Sequence, residues 1–200
     1  MKETVLLKAT EMFMALGFKS VTMDDIATEL GISKKTIYQH FANKNDLVEA
    51  TTNQLFEKIT SGIDDICAIG INPIDEFYAI RQFLANILKD NKSPDFQLRK
   101  FFPAIYDTLR IKQFEKLHSC MLNVLRRGVD QGLFRANIDI EFIARIYFTG
   151  ISGIKDTQVF PEELYTMGSK TGQYLEYHLR AIVTEKGLGK LTKTIAENIF

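Results

Sequence analysis

From Val5 onward the apolar residues fall at Val5, Leu6, Ala9, Met12, Phe13 and Leu16, steps of three and four that only a helix brings to one face. The spacing returns at Ile74, Phe77, Tyr78, Ile80, Leu84 and Leu88, and again from Tyr106 through Leu109, Phe114, Leu117, Met121, Val124 and Leu125. No stretch alternates with a period of two, no hairpin turn signal is present and no segment repeats another. The expected fold is all-α. Its punctuation is helical as well. Gly17 and Gly31 stand where helices end, while Thr22 with Asp25, Ser33, and Asn43 with Asp46 stand where they begin. Three short helices and a long fourth one, running to about Cys67, are therefore expected first. Pro73, Pro94 and Pro103 open later helices. Two more are expected from Asp139 to Gly153 and from Pro161 to about Lys186, with a frayed last one over Lys190 to Phe200. The expected division is a helix-turn-helix head over residues 1–50, joined by the long helix to a helical bundle over 51–200.

Hydrophobic residues make up 46% of the chain and charged residues 25%, an ordinary globular balance that excludes disordered and fibrous classes. With 25 Lys and Arg against 25 Asp and Glu, any polyanionic partner must be met by a local patch rather than by overall charge. Cys67 and Cys120 are the only cysteines and lie far apart, so no disulfide scaffold or multi-cysteine zinc site is expected, and no metal or cofactor. No secretory signal and no apolar run of about 18 residues is present, which points to the cytoplasm and to no membrane partner. Enzymatic signatures are missing too: there is no glycine-rich phosphate loop, no HExxH pair and no nucleophile elbow. The adjacent acids Asp24 and Asp25, Asp64 and Asp65, and Glu162 and Glu163 would point apart on helices. A non-enzymatic role is expected.

The informative segment runs from Thr22 to Leu47. Its second and third helices, joined by Gly31, Ile32 and Ser33, have complementary apolar faces, the arrangement that lays one helix in a major groove while the other braces it. With Ile37 inward, a turn of about 100° per residue sends Lys35 and Gln39 directly outward, flanked by Thr36 and Tyr38. Between Gly31 and Asn45 there are three lysines and no acid, although residues 1–50 hold six lysines against seven acids. The positive charge is placed, not abundant. Lys34, Lys35 and Lys44 would neutralise phosphates, and the hydroxyls of Thr22, Ser33, Thr36 and Tyr38 would bond phosphate oxygens. Lys34, Lys35 and Gln39 are long enough to reach base edges. For His40, packing at the helix end and a phosphate contact are both open.

In Thr22, Ile26, Ala27, Gly31, Ile32, Ser33, Thr36, Ile37, Tyr38, His40, Phe41, Lys44 and Leu47, in that order and spacing, the chain resembles the TetR (tetracycline repressor-like) transcriptional regulators. The resemblance covers Lys2 to about Leu55 closely. Beyond that it lies in the number and length of the helices and in the stretch from Gly128 to Ile154, which looks like the turn and dimer helix of that family. It implies that Thr22, Lys34, Lys35, Thr36, Tyr38, Gln39, His40 and Lys44 face operator DNA. Lys35 and Gln39 stand where family members vary, so no operator sequence is carried over.

One such head makes few base contacts, so a homodimer on a near-palindromic double-stranded operator is expected. The helix holding Ile140, Phe142, Ile143, Ala144, Ile146, Tyr147, Phe148 and Ile151 is apolar almost all round, and Gly168 and Gly172 lie one turn apart on the next. The expected interface is Ile143, Tyr147, Ile151, Gly168, Gly172, Leu175 and Leu179, with a single-chain core as the competing reading. Tyr78, Arg81, Tyr106, Arg110, Phe114, His118, Met121 and Arg145 lie on or near inward stripes, either as core or as the lining of a cavity for an unknown small-molecule effector. The resemblance implies such a cavity, and a repressor released or modulated by its effector. Activation and ligand-independent regulation remain alternatives, and a helical scaffold that touches an acidic protein is the alternative class.

Overall fold

The structure, a computed structural model, describes residues 1–88 and 94–197. Among them are ten helices: α1 (Lys2–Leu16), α2 (Met23–Leu30), α3 (Lys34–Tyr38), α4 (Lys44–Ala68), α5 (Pro73–Leu88), α6 (Pro94–Phe101), α7 (Pro103–Asp130), α8 (Ile140–Gly153), α9 (Met167–Ile182) and α10 (Glu185–Glu197). The only extended pairing among the described residues is an isolated bridge between Phe134 and Val183. None of these helices is long and apolar enough to cross a membrane.

The chain forms two compact units. One holds Met1–Thr60 with the described part of Asn91–Gln113; the other holds the described parts of Ser61–Asp90 and Phe114–Phe200. The first has a core of Val5, Ala9, Phe13, Ile26, Ile37, Leu47 and Val48 from the inward stripes of α1 to α4, with Phe18, Val21 and Phe41 from the connections between them. It also takes in Leu98 of α6, only 1% exposed, with Phe102, Ile105 and Tyr106 packed alongside. The unit around the head therefore extends beyond the 1–50 segment, because α6 and the start of α7 cover Phe18, whose ring meets that of Phe102 edge-on at 6.4 Å. Leu16, expected on the inward stripe, is 62% exposed at the end of α1.

The second unit is built on Ile74, Phe77, Met121, Val124, Leu125, Leu175, Leu179, Ile182 and Leu191. After α7 the chain turns at Gly132 and returns Phe134 onto Gly128, where a Cβ would overlap the Phe134 ring. Two expectations shift here. Residues 161–166 are turns rather than helix, since the Thr166 hydroxyl accepts from the Ser169 N–H and starts α9 there. The last helix is not a frayed tail from Lys190: it begins at Glu185 and buries Leu191, and Thr194 donates to Asp75 Oδ1 at 2.7 Å. Residues 198–200 of that expected tail lie outside the described residues.

Candidate functional site

Local chemistry fixes the helix-turn-helix. At the start of α2 the Thr22 hydroxyl accepts from the Asp25 N–H while the Thr22 N–H and hydroxyl both donate to Asp25 Oδ2 at 2.8 Å, a complete capping box. Those bonds hold the Asp25 carboxyl below its usual range. Gly31 ends α2 in the left-handed region, φ 64° and ψ 31°, which a Cβ would strain. Ser33 then caps α3, accepting from the Thr36 N–H, and its hydroxyl lies 2.9 Å from that of Thr36. Ile37 is fully buried against the core shared with Ile26.

Burying Ile37 decides what the rest of α3 shows. Lys34, Lys35, Tyr38, Gln39 and His40 are exposed and Thr36 is half-buried. His40 points to solvent, so the packed alternative for it is set aside. Thr22 is a correction: both of its donors are spent on Asp25, so it holds α2 and has no proton left for a phosphate. Of the Ser33 and Thr36 hydroxyls, one must donate to the other, which leaves a single free proton between them. An acid also reaches the face expected to carry none, because Asp24 of α2 pairs with Lys34 at 2.7 Å. Lys44 is partly withdrawn, its ammonium donating to the Lys19 carbonyl at 3.1 Å and lying 6.0 Å from the Phe102 ring centroid, and burial lowers its pKa. Lys35 and Tyr38 remain as the outward side of α3, with Gln39 and His40 exposed on the turn that follows it.

The residues expected around an effector are not gathered in one place. Tyr106 packs against the core of the first unit and Arg110 is exposed on the same part of α7. In the second unit Arg145 is exposed, bonded to Glu141 and set over the Phe114 ring; Phe114 in turn stacks on His118. That cluster is a clasp between α7 and α8, with His118 Nε2 2.9 Å from Glu141 Oε1. Met121 is core. Tyr78 and Arg81 differ: the Tyr78 hydroxyl and Arg81 Nε are buried without a hydrogen-bond partner, as is Nε2 of His178 on α9. The Tyr147 and Tyr174 rings lie 4.9 and 5.9 Å from that of His178. Sequence reasoning missed His178 because nothing in its spacing marks a polar atom left unsatisfied inside, and Tyr174 because nothing marks the ring packed beside it.

Burial pushes the His178 pKa down to about 4, against an ordinary value near 6.5. The folded state therefore refuses a proton that the unfolded chain accepts. Above pH about 6.5 His178 contributes no pH dependence; as pH falls from there toward about 4, stability is lost. Urea midpoints measured across that window should fall less steeply for His178→Phe than for the parent, and equal slopes would refute the assignment.

The expected interface residues also divide. Leu175 and Leu179 are 1% and 0% exposed in the core of a single chain and are corrected to intrachain positions, while Ile143 and Tyr147 are half-buried and pack against that core. Ile151 and Gly168 are half-buried. The space beside Gly172 is filled by the Arg81 side chain. The close approach between α8 and α9 lies instead at Gly150, under the ring of Tyr174, whose hydroxyl donates to the Ile146 and Tyr147 carbonyls. On these two helices the outward apolar residues are Phe142, Ile146 and Tyr177, at 59%, 42% and 73% exposure.

Residues 5–51, which contain the whole helix-turn-helix, match the family model for bacterial regulatory proteins of the tetR family. The HTH-type transcriptional repressor KstR2 of Mycobacterium tuberculosis is 27% identical over 195 residues, covering 92% of this chain and 90% of that protein. A TetR-family transcriptional regulator from Agrobacterium tumefaciens superposes with a TM-score of 0.73 at 20% identity, over 92% of this chain and 97% of that one. SmeT, the repressor of the Stenotrophomonas maltophilia multidrug efflux pump SmeDEF, gives 0.68 at 21% identity over 92% and 91%, and it is also solved as a triclosan complex. The family match ends within the same α4 that closes the head, and the likeness to a repressor continues through the remaining helices, so the head is similar to that of the tetR family of bacterial regulatory proteins and the chain as a whole is similar to DNA-binding transcriptional regulators.

Proposed function

We propose that the chain acts in the cytoplasm as a homodimeric repressor that reads a near-palindromic operator through α3 and is released by a small-molecule effector bound in its second unit. The observation that carries this is the two-sidedness of α3 and the turn after it, with Ile37 fully buried and Lys35, Tyr38, Gln39 and His40 exposed. Lys35 and Gln39 would read base edges, and Tyr38, His40 and the free hydroxyl of the Ser33–Thr36 pair would hold phosphates. Phe142, Ile146 and Tyr177 would form the dimer face, an apolar surface of the kind that pairs helices about a two-fold axis. The unsatisfied polar atoms of Tyr78, Arg81 and His178, the last beside the rings of Tyr147 and Tyr174, would orient the effector. α4 runs without a break from Lys44 to Ala68, so a shift at its end moves its start; a coupling of about 1–3 kcal/mol would change operator affinity 5- to 150-fold.

Selecting preferred duplexes from a random pool tests the reading. Two inverted half-sites separated by about one helical turn, or a multiple of it, are expected. A pool that enriches no sequence would end the proposal. Lys44→Ala should change the dependence of log affinity on log salt by less than the roughly one unit that losing a phosphate contact costs, because its ammonium is held by the Lys19 carbonyl. Gln39→Ala should instead cost about 1–3 kcal/mol at particular base pairs. Equal loss on every duplex would show that Gln39 reads no base.

A further inference from the structure

The cysteines that are far apart in sequence meet in the second unit. Cys67 lies on the last turn of α4, Cys120 in the middle of α7 and Glu76 in the first turn of α5. The two sulfurs are 3.7 Å apart, and they and one carboxylate oxygen of Glu76 all lie within 4.8 Å of one another. A tetrahedral ion bound at about 2.3 Å to each thiolate holds its sulfurs about 3.8 Å apart, so the pair already spans one edge of that polyhedron.

Glu76 supplies the second, independent observation. It is fully buried; Arg127 Nη2 donates to its Oε2, while its Oε1 has no hydrogen-bond partner. An acceptor buried this way is costly unless something positive meets it. Two sulfurs and one oxygen suit a thiophilic cation, not magnesium or calcium, which take all-oxygen shells. Two thiolates and a carboxylate facing a divalent cation and the Arg127 guanidinium also balance to neutrality, which a buried site requires.

We infer that Cys67, Cys120 and Glu76 form a three-ligand site for a thiophilic divalent cation of the zinc class, with the fourth coordination position open. The site does not depend on the chain's reading of DNA, and its test uses no DNA.

Cobalt(II) is the probe, titrated into the full chain after treatment with a chelator and a thiol-free reductant. The expected result is a thiolate-to-cobalt charge-transfer band that saturates at one ion per chain, with visible bands of tetrahedral intensity, both removed by equimolar zinc. Cys67→Ser and Cys120→Ser should each weaken binding by more than the ~10-fold that loss of an outer partner costs, and the double variant should show no band. Glu76→Gln should keep the band and weaken binding. Far-UV circular dichroism checks that the variants fold, and the two serine variants keep the test valid if Glu76→Gln does not. The inference is overturned if the reduced protein gives no charge-transfer band, if the band survives in the double variant, or if the two thiols only oxidise to a disulfide.

Discussion

Ile37→Ala is expected to remove operator binding and to lower the melting temperature on the order of 10 °C, a larger effect on DNA than any single exposed residue of α3 can have. The reason is length. α3 has five residues, and isolated helices shorter than about 12–15 residues are marginal in water, so its order is borrowed from packing. Ile37 is the one buried residue on it, and its carbonyl also accepts the N–H groups of His40 and Phe41 that close the turn after the helix. Deleting a buried isoleucine to alanine costs about 2–5 kcal/mol, and here that cost falls on the element that presents Lys35 and Gln39. The contrast with Gln39→Ala is diagnostic: that change should leave the melting temperature in place and alter only base preference. An Ile37→Ala protein that melts like the parent and still binds duplex would show that α3 is not held through this residue.

How much of this was legible in the sequence depended on how local the chemistry was. Thr22 with Asp25, Ser33 with Thr36, Asn43 with Asp46 and Asp139 with Phe142 each fix a helix start through bonds three residues long, and each start was readable from the residue types alone. The all-α class followed from apolar spacing. What escaped was set by contacts between distant segments. Leu98 joins the head's core from α6, and Asp24 crosses the turn to reach Lys34. Leu175 and Leu179 are apolar on a helix with two faces, and spacing alone does not say which face meets the chain's own core and which is left outside. The same limit hid Glu76 beside Cys67 and Cys120, since no short motif links residues on three helices. The Thr22 hydroxyl was correctly placed at a helix start, but its proton was assigned to a phosphate when the cap already uses it.

Arg127→Met should destabilise the protein by about 3–5 kcal/mol, the cost of leaving a buried charge without its partner. Glu76 is fully buried and takes an ion pair from Arg127, while the rest of the guanidinium donates to Asn123 Oδ1 at 3.0 Å and to the Ile71 carbonyl at 3.4 Å. These bonds tie α7 to the turn before α5. If the loss comes from the stranded carboxylate, neutralising it must restore stability, so Glu76→Gln combined with Arg127→Met should be more stable than Arg127→Met alone. Urea denaturation of the parent, both single variants and the double variant gives the coupling directly. If instead the two losses simply add, the arginine acts through the packing of its methylene stem and the Ile71 contact rather than through the carboxylate. Restoration would show that Arg127 is coupled to the Glu76 carboxylate, whose other oxygen, Oε1, is left for a second positive group.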